Sequence, residues 1–419
     1  MILIATLFGL LLAGAAGVQL SIAMAFQKRF NELEPAPMPS AEQQSAVVVI
    51  CVRGCDPSLE SCLIGVLNQN YANYRVQMIV DHESDQAWDF VHRIKSRHDD
   101  RNILSIAEMQ NPLDTCSLKC CGIVQALRSI DEQTKYVAFL DADVAPHPQW
   151  LAELTGPLLD PAVGGVTGNQ WFEPDSGLGV GSLLRSTWNA GALVPTIFFT
   201  NPWAGSFAMR FQDIIDSSLE EIWAQSIVDD GPIKQAINDF GMRVEFAPSL
   251  IMVNREPCSI GFTNRWVTRM LTWSRLYEST FYLTIIHALF SNCVMMANFA
   301  VLLLAVLSGS LNAGLVAATA LIASGWMCAK SYELTRQCVV KSCELRGQTL
   351  APLQQQRFWG VVLAAAMTHL IYGFSCAQAI FVREIKWREI TYELTSHNRV
   401  KRLDYAPYAS ETTRSDVSI

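Results

Sequence analysis

The stretch Tyr136-Val137-Ala138-Phe139-Leu140-Asp141-Ala142-Asp143 decides the fold class of this 419-residue chain. Its first five residues form an apolar run of the kind found in a strand buried on both faces of a sheet. Two aspartates follow where that strand would end. Because ligands of parallel sheets bind at the carboxyl ends of the strands, this stretch predicts a buried strand that brings Asp141 and Asp143 to a binding crevice.

The residues on the N-terminal side of this stretch alternate between strand and helix patterns. Apolar runs rich in β-branched residues predict strands, and segments with helical periodicity lie between them. Such alternation predicts an α/β domain with a mostly parallel sheet. The predicted strands are 46–52, 74–80, 103–106 and 136–140, and the predicted helices are 58–69, 84–97 and 118–130.

Three other segments, 1–27, 279–329 and 358–382, contain no Asp, Glu, Lys or Arg. A helix needs about 20 apolar residues to cross a bilayer, so the middle segment has room for two crossings. The absence of a basic residue before the first apolar run favours an uncleaved anchor over a secretory signal peptide. The sequence therefore predicts an integral, multi-pass membrane protein. The predicted spans are 3–25, 283–306, 312–329 and 359–381.

Basic residues indicate how these spans are oriented. Lys28 and Arg29 follow the first span, so the positive-inside rule predicts that the next domain is cytoplasmic. The predicted loop between the third and fourth spans is also basic, which agrees with a cytoplasmic location. Four spans would then place the tail after residue 382 outside, although that tail is rich in Arg and Lys. The conflict disappears if one segment lies in the membrane interface.

The composition excludes several classes of protein. Half of the residues are apolar, 17% are charged, and the formal net charge is −8. An acidic balance argues against a nucleic-acid partner, because nucleic-acid binders carry a basic excess. Twelve cysteines are too sparse for a disulfide scaffold and predict reduced thiols.

Acidic residues near the ends of predicted strands are candidates for a ligand site. Asp141 and Asp143 are two residues apart and could supply oxygen ligands for Mg²⁺ or Mn²⁺ on a diphosphate. The alternative for this pair is a solvated turn. Asp81 and Asp85 follow the second strand, where they could bind a nucleobase or ribose, or could be ordinary loop acids.

A second acidic pair, Asp229-Asp230, precedes a predicted helix at 232–240. One of these carboxylates could be a general base whose pKa is raised by its neighbour, or a helix N-cap. Lys119 begins the third predicted helix, where it could pair with phosphate or face solvent.

Two further segments suggest ligand contacts. Gly205 and Ser206 lie in a turn-like segment, and small residues there would let the backbone approach a ligand. Arg269 and Trp273 share one helical face close to the uncharged segment at 279–329. They could anchor the chain at the membrane surface, or they could contact a departing diphosphate and a sugar or acceptor.

Taken in order, these motifs resemble the family 2-type glycosyltransferases with the GT-A fold. More narrowly, they resemble the ceramide glucosyltransferase group, family 21, and its bacterial relatives that act on hopanoids. That group has an N-terminal anchor, a cytosolic GT-A domain and C-terminal membrane helices, with the motif series D, DxD, D and (Q/R)xxRW. The matching segments are Gly54-Cys55-Asp56-Pro57-Ser58-Leu59, Asp85 (or Asp81), Lys119, Asp141 with Asp143, Gly205-Ser206 with Met209-Arg210, Asp229-Asp230, and Trp387-Arg388-Glu389-Ile390-Thr391-Tyr392.

Two positions depart from the group's pattern. The last motif reads Arg269-Met270-Leu271-Thr272-Trp273, so Thr272 stands in place of the inner Arg. A competing placement of this motif is Arg265-Trp266, preceded by Phe262. The second departure is Asp229, which stands where the group usually has Glu.

The resemblance implies inverting, metal-dependent transfer of a hexose from a UDP-sugar to a lipid hydroxyl, as in ceramide or a hopanoid. Asp141 and Asp143 would hold Mg²⁺ or Mn²⁺, and Asp230, beside Asp229, would be the base. The residues implied to contact the donor are Asp85, Asp81, Lys119, Asp141, Gly205, Ser206, Arg269 and Trp273. Two rival functions are a processive polysaccharide synthase and a non-catalytic membrane scaffold, and the loss of Arg at Thr272 favours the scaffold.

The resemblance also implies a domain order, with the catalytic domain on the cytoplasmic side of a bacterial inner membrane. The bilayer would be a partner at both ends of that domain. The expected units are an N-terminal anchor at 1–29, a linker at 30–45, a GT-A domain at 46–278, a C-terminal membrane region at 279–382, and a basic then polar tail at 383–419.

Overall fold

The computed structural model describes residues 1–33, 44–174, 179–396 and 399–408, apart from the side chains of residues 196, 197 and 396. Most of the expected linker at 30–45 lies outside these ranges, and its first three residues continue the N-terminal helix. The described helices are α1 (Ile2–Glu32), α2 (Leu59–Leu67), α3 (Gln86–His98), α4 (Leu118–Leu127), α5 (Trp150–Thr155), α6 (Val180–Phe199), α7 (Phe211–Asp216), α8 (Leu219–Trp223), α9 (Gly231–Asp239), α10 (Ile260–Tyr277), α11 (Phe281–Leu307), α12 (Leu311–Leu345) and α13 (Gln355–Phe381).

A seven-stranded sheet organises the region between α1 and α10. The strand order is β3-β2-β1-β4-β6-β5-β7, and β6 runs antiparallel to both of its neighbours while the other pairs are parallel. The expected α/β class with a mostly parallel sheet is confirmed. The strands of this sheet are β1 (Ala46–Val52), β2 (Tyr74–Val80), β3 (Leu104–Glu108), β4 (Tyr136–Leu140), β5 (Val163–Phe172), β6 (Ser206–Arg210) and β7 (Arg243–Asn254).

Both faces of the sheet are covered by helices, which explains the continuous apolar runs in its central strands. In β1, Val48 and Ile50 pack into the core beneath α2, α3 and α5. Their neighbours Val47 and Val49 point to the opposite core, beneath α4, α8 and α9. Because side chains alternate along a strand, a strand buried on both faces needs apolar residues at every position.

Four helices, α1, α11, α12 and α13, are long and apolar enough to cross a membrane, judged by length and composition. Helices α1 and α12 run parallel, because Gly9 packs near Ala320 at one end and Gln27 hydrogen-bonds to Gln337 at the other. Helix α11 runs antiparallel to α12, since the two are joined by a short turn at 308–310.

Helix α12 is longer than the predicted span at 312–329. Its C-terminal half contains charged residues that the sequence had placed in a basic loop, so the predicted loop is wrong over 330–345. In this half, Arg336 is buried and donates hydrogen bonds of 2.7 to 3.2 Å to the Glu173 carboxylate at the end of β5. A charged helix is accommodated because its arginine pairs with an acid of the sheet region.

Both ends of α13 contact residues of the sheet region. At the N-terminal end, Arg357 lies 3.6 Å from the Glu173 carboxylate. At the C-terminal end, the Arg275 guanidinium on α10 donates hydrogen bonds to the carbonyls of Ile380 and Val382. The two ends of this helix therefore lie on the same side of the helix bundle.

The chain after α13 forms a second, three-stranded antiparallel sheet that folds back onto the first. Its Ile390, Tyr392 and Val400 pack into the core beneath α4, and the Tyr392 hydroxyl accepts a hydrogen bond from the Leu118 backbone N–H. The expected basic and polar tail thus contains ordered structure. Its strands are β8 (Glu384–Trp387), β9 (Ile390–Ser396) and β10 (Arg399–Arg402).

Candidate active site

Asp141 and Asp143 lie directly after β4, at the carboxyl end of the parallel strands. The Asp143 carboxylate accepts hydrogen bonds from the side chains of Gln170 (3.2 Å) and Asn254 (3.3 Å). Burial, together with the negative charges of Asp141 and Asp56, raises the pKa of Asp143 to about 7. These carboxylates therefore share a crowded, partly desolvated site rather than a solvated turn.

The crowding of these acids suits a divalent cation. No group of three His, Cys, Asp or Glu side chains is arranged to hold a metal in the described parts of the chain. Magnesium and similar hard cations often take one or two protein carboxylates together with phosphate oxygens. Asp141 and Asp143 thus fit a metal that binds jointly with a diphosphate.

Lys119, in the first turn of α4, connects the two acidic pairs. Its ammonium lies 2.5 Å from the Asp141 carboxylate and 2.7 Å from that of Asp229. Burial disfavours the charged amine, but the two carboxylates outweigh this effect and raise the pKa of Lys119. The structure thus gives this lysine carboxylate partners, whereas the sequence suggested phosphate or solvent.

Asp229 and Asp230 precede α9, as predicted. Asp229 is buried and paired with Lys119, whereas the Asp230 side chain makes no capping hydrogen bond to α9, a helix that is described throughout. Burial and the adjacent Asp229 charge raise the pKa of Asp230 to about 7. Asp230 is therefore the member of the pair with the properties of a base near neutral pH.

Gly205 brings the backbone close to the Asp141 carboxylate. A Cβ atom on this glycine would lie 2.5 Å from an Asp141 carboxylate oxygen and 2.3 Å from the Trp203 ring, so no larger residue fits. The neighbouring Ser206 is fully buried, and its hydroxyl accepts a hydrogen bond from the Trp150 indole. Gly205 borders the crevice, while the Ser206 side chain points into the core.

Asp85 and Asp81 lie at the carboxyl end of β2. Both carboxylate oxygens of Asp85 accept backbone hydrogen bonds, from Ala87 at 2.8 Å and from Gly54 at 2.7 Å. Asp81 is fully buried and paired with Arg53, and burial raises its pKa although Arg53 opposes the shift. Asp85 thus has local structural partners, and a nucleobase role for either acid stays a prediction.

The chain beyond β10 covers this end of the crevice. Arg53 donates a hydrogen bond of 2.9 Å to the Ala406 carbonyl, and the Tyr408 backbone N–H donates to the Asp81 carboxylate. The Tyr408 ring packs on Gly54, where an added Cβ would lie 2.8 Å from a ring atom. The sequence gave no local sign of these contacts, which join residues more than 300 positions apart.

Arg269 and Trp273 on α10 meet the second sheet at Trp387. The Arg269 guanidinium lies 5.7 Å from the centre of the Trp387 ring, and the Trp273 and Trp387 ring centroids are 6.3 Å apart. The competing pair faces elsewhere, because Arg265 is exposed and Trp266 packs among aromatic rings near the apolar helices. The geometry therefore places Arg269 and Trp273, not the competing pair, beside the crevice.

Arg388, in the turn between β8 and β9, is a crevice residue that the sequence did not single out as a site residue. Its guanidinium donates hydrogen bonds to both oxygens of Asp56, at 2.7 and 3.0 Å. The W-R pattern at Trp387-Arg388 was the available signal. Its distance in sequence from the other motifs hid its position in space.

Comparison with solved structures shows the fold. The mannosyltransferase PcManGT from Pyrobaculum calidifontis, in complex with GDP-Man and Mn²⁺, matches 80% of this chain and 98% of its own with a TM-score of 0.52 at 16% identity. Glucosyl-3-phosphoglycerate synthase from Mycobacterium tuberculosis, with Mn²⁺ and UDP-glucose, covers 60% of this chain and 84% of its own at 16% identity and a TM-score of 0.37. S. aureus TarS 1-349, with UDP-GlcNAc, covers 84% of this chain and 97% of its own at 11% identity and 0.35.

The sheet region therefore has the GT-A type of fold that the resemblance implied. No curated protein matches the chain in sequence. The family model for glycosyl transferase family 21 matches residues 9–400, which span the first helix, the sheet region, the remaining apolar helices and the second sheet. Fold, motif order and this match agree, and the chain belongs to glycosyl transferase family 21.

Proposed function

We propose that this protein is a membrane-bound, metal-dependent, inverting glycosyltransferase that moves a hexose from a UDP-sugar to a lipid hydroxyl. Membership in glycosyl transferase family 21 supports the use of a nucleotide sugar. The observation that carries the mechanism is the chain of contacts from Asp141 through Lys119 to Asp229, with Asp230 beside it. It joins the expected diphosphate site to the expected base.

The donor lies across the carboxyl ends of the strands in this proposal. PcManGT, which shares the fold, has GDP-Man and Mn²⁺ in its complex, and this supports a nucleoside diphosphate sugar with a divalent metal. Asp141 and Asp143 would hold the metal, which when bound neutralises charge on the diphosphate. The choice of UDP over GDP rests on the family 21 resemblance.

The base and the leaving group define the reaction. Asp230 takes the proton of the acceptor hydroxyl, the acceptor oxygen forms a bond to C1 of the sugar, and the bond from C1 to the diphosphate breaks. Attack from the face opposite the diphosphate inverts the configuration at C1 and releases UDP. A pKa of about 7 suits Asp230 to this role, because it is deprotonated in part of the population at neutral pH yet still basic.

The surroundings of Asp230 favour a lipid acceptor. The next residue, Gly231, lies against the Tyr277 ring at the end of α10, four residues before the apolar helix α11 begins at Phe281. On the other side of the crevice, Lys234 of α9 donates a hydrogen bond to the carbonyl of Phe199, whose side chain is 63% exposed. The base therefore lies where an acceptor held in a bilayer can reach it.

The geometry of α13 supports a revised membrane topology. We infer that α1, α11 and α12 cross the membrane and that α13 lies in its interface, because both ends of α13 contact the sheet region. Leu363 and Phe381, which are 81% and 80% exposed, would face lipid. Three crossings place the second sheet and the catalytic region together in the cytoplasm, and the conflict over the basic tail disappears.

Reporter fusions test this topology. Green fluorescent protein fused after the last residue is expected to fluoresce, and alkaline phosphatase at the same position is expected to be inactive. An active phosphatase would show that α13 crosses the membrane.

The function itself is tested by incubating purified protein with radiolabelled UDP-hexoses and a membrane lipid extract. Label is expected in the organic phase with Mn²⁺ or Mg²⁺ and is expected to be lost with EDTA. Asp230→Asn is expected to abolish transfer, and Asp239→Asn, at the exposed end of the same helix, is the matched control. Label in a water-soluble polymer would instead support a polysaccharide synthase, and absence of both transfer and nucleotide binding would support a scaffold.

A further inference from the structure

The last motif of this chain lacks one of the two arginines expected beside the diphosphate, and the structure shows what stands there. Thr272 is fully buried, and its hydroxyl donates a hydrogen bond of 2.8 Å to the Thr268 carbonyl within α10. This side chain is occupied by its own helix. Of the two expected arginines, α10 therefore supplies Arg269.

A second guanidinium reaches the same place from the other end of the chain. Arg388 lies in a two-residue turn, since Trp387 pairs with Ile390 across β8 and β9. Its hydrogen bonds to Asp56 and to the Arg53 carbonyl use three of the five N–H groups of a guanidinium, which leaves donors for another anion. The turn thus inserts a cation at the carboxyl end of β1.

The charges around Arg388 describe an incomplete site. Burial and the nearby Arg388 charge lower the pKa of Arg269 to about 9, while Asp143 and Asp141 act in the opposite direction. Arg388 also interacts with the charge of Asp143. Two arginines that repel each other therefore face the two carboxylates expected to hold a metal, and an anion placed between cation and metal would satisfy both.

The backbone of the turn fits this use of Arg388. Both Arg388 and Glu389 have positive φ angles, 49° and 66°. Two-residue hairpins of this type favour Asn or Gly at such positions, because larger side chains are strained there. A strained backbone that is held by a buried ion pair is typical of residues that serve a site.

We propose that Arg388 binds the diphosphate of the donor together with Arg269, and so replaces the arginine that is missing at Thr272. This inference rests on the proposed function, because it requires a nucleoside diphosphate in the crevice. In this arrangement Asp56 positions the guanidinium, and the second sheet is part of the donor site.

The test compares ligands with and without phosphate. Binding of UDP in the presence of Mn²⁺ is measured by calorimetry, and binding of uridine is measured by ligand-observed NMR titration. Arg388→Met is expected to weaken UDP binding by about tenfold or more, because a charge-assisted hydrogen bond is lost. Its affinity for uridine is expected to stay within about twofold. Arg388→Lys is expected to be intermediate, since it keeps the charge but loses the fork of donors.

Two control variants separate diphosphate binding from docking of the second sheet. Lys401→Met removes one exposed positive charge from β10 and is expected to bind UDP like the wild type. Asp56→Asn removes the partner of Arg388 but keeps the guanidinium, and it is expected to lose less UDP affinity than Arg388→Met. Equal losses in these two variants, or equal losses of UDP and uridine binding in Arg388→Met, would assign Arg388 a structural role and overturn the inference.

The outcome for the wild type keeps the two proposals apart. Wild-type protein that binds neither UDP nor GDP with Mn²⁺ would overturn the proposed function, and this inference with it. Wild-type protein that binds UDP, with Arg388→Met binding it equally well, would overturn this inference alone.

Discussion

Replacing Asp230 with Asn is expected to stabilise the protein at alkaline pH while it removes sugar transfer. The Asp230 carboxylate is close to Asp229, and its pKa rises from 3.8 to about 7 in the folded chain. A carboxyl group with a raised pKa favours folding while it is protonated and opposes folding once it is ionised. The stability that Asp230 permits at low pH is therefore lost as the pH rises from about 4 through 7.

The size of this effect follows from the shift. A rise of about three pKa units corresponds to about 4 kcal/mol, at roughly 1.4 kcal/mol for each unit. The Asn amide mimics the neutral acid but still needs hydrogen bonds in the same buried place, so we expect a gain of about 2–4 kcal/mol at pH 8. For a domain of this size that is a rise of about 5 °C in melting temperature.

Thermal unfolding in detergent with EDTA, followed by tryptophan fluorescence, measures this gain. The difference between Asp230→Asn and the wild type is expected to be smallest at pH 4.5 and largest at pH 8. Asp239→Asn, which changes an exposed carboxylate on the same helix, is expected to show no such trend. If the difference between Asp230→Asn and the wild type is the same at both pH values, Asp230 is not destabilised by ionisation and the reasoning about its pKa fails.

Two further changes have expected outcomes. Arg336→Met leaves the buried Glu173 carboxylate without its main partner, so we expect a loss of about 3–5 kcal/mol in unfolding measurements, with Arg336→Lys intermediate. Gly205→Ala places a Cβ atom 2.5 Å from an Asp141 carboxylate oxygen, so weaker Mn²⁺ binding is expected by calorimetry. Gly14→Ala, whose Cβ would meet nothing within 4 Å, is the control, and an equal effect of the two glycine changes would contradict the steric explanation.

The central strands and their acids could be predicted because the signal is local. In β1 and β4, burial on both faces requires apolar residues throughout, and carboxylates such as Asp141 and Asp143 follow at the strand end. The antiparallel strand β6 was not predicted. It pairs with β4 through contacts between residues about 70 positions apart, and no short pattern encodes such a pairing.

The rest of the site depends on contacts that a local pattern does not contain. Arg388 and Tyr408 reach the crevice because a buried sheet after the last apolar helix docks beneath α4. The charged half of α12 did not look like part of a long helix, since it follows an apolar span. Arg336 explains the difference, because its partner Glu173 is brought to it by the fold.

The docking of the second sheet has a consequence for biogenesis. Strands β8 to β10 follow all four apolar helices in the chain, so a ribosome makes them after the membrane segments have emerged. Until the insertion machinery has placed those helices and the final strands have folded back, the crevice lacks Arg388 and the cover over Asp81. A nascent chain that stalls before this point would remain unable to consume nucleotide sugar, so donor use is reserved for molecules already integrated in the bilayer.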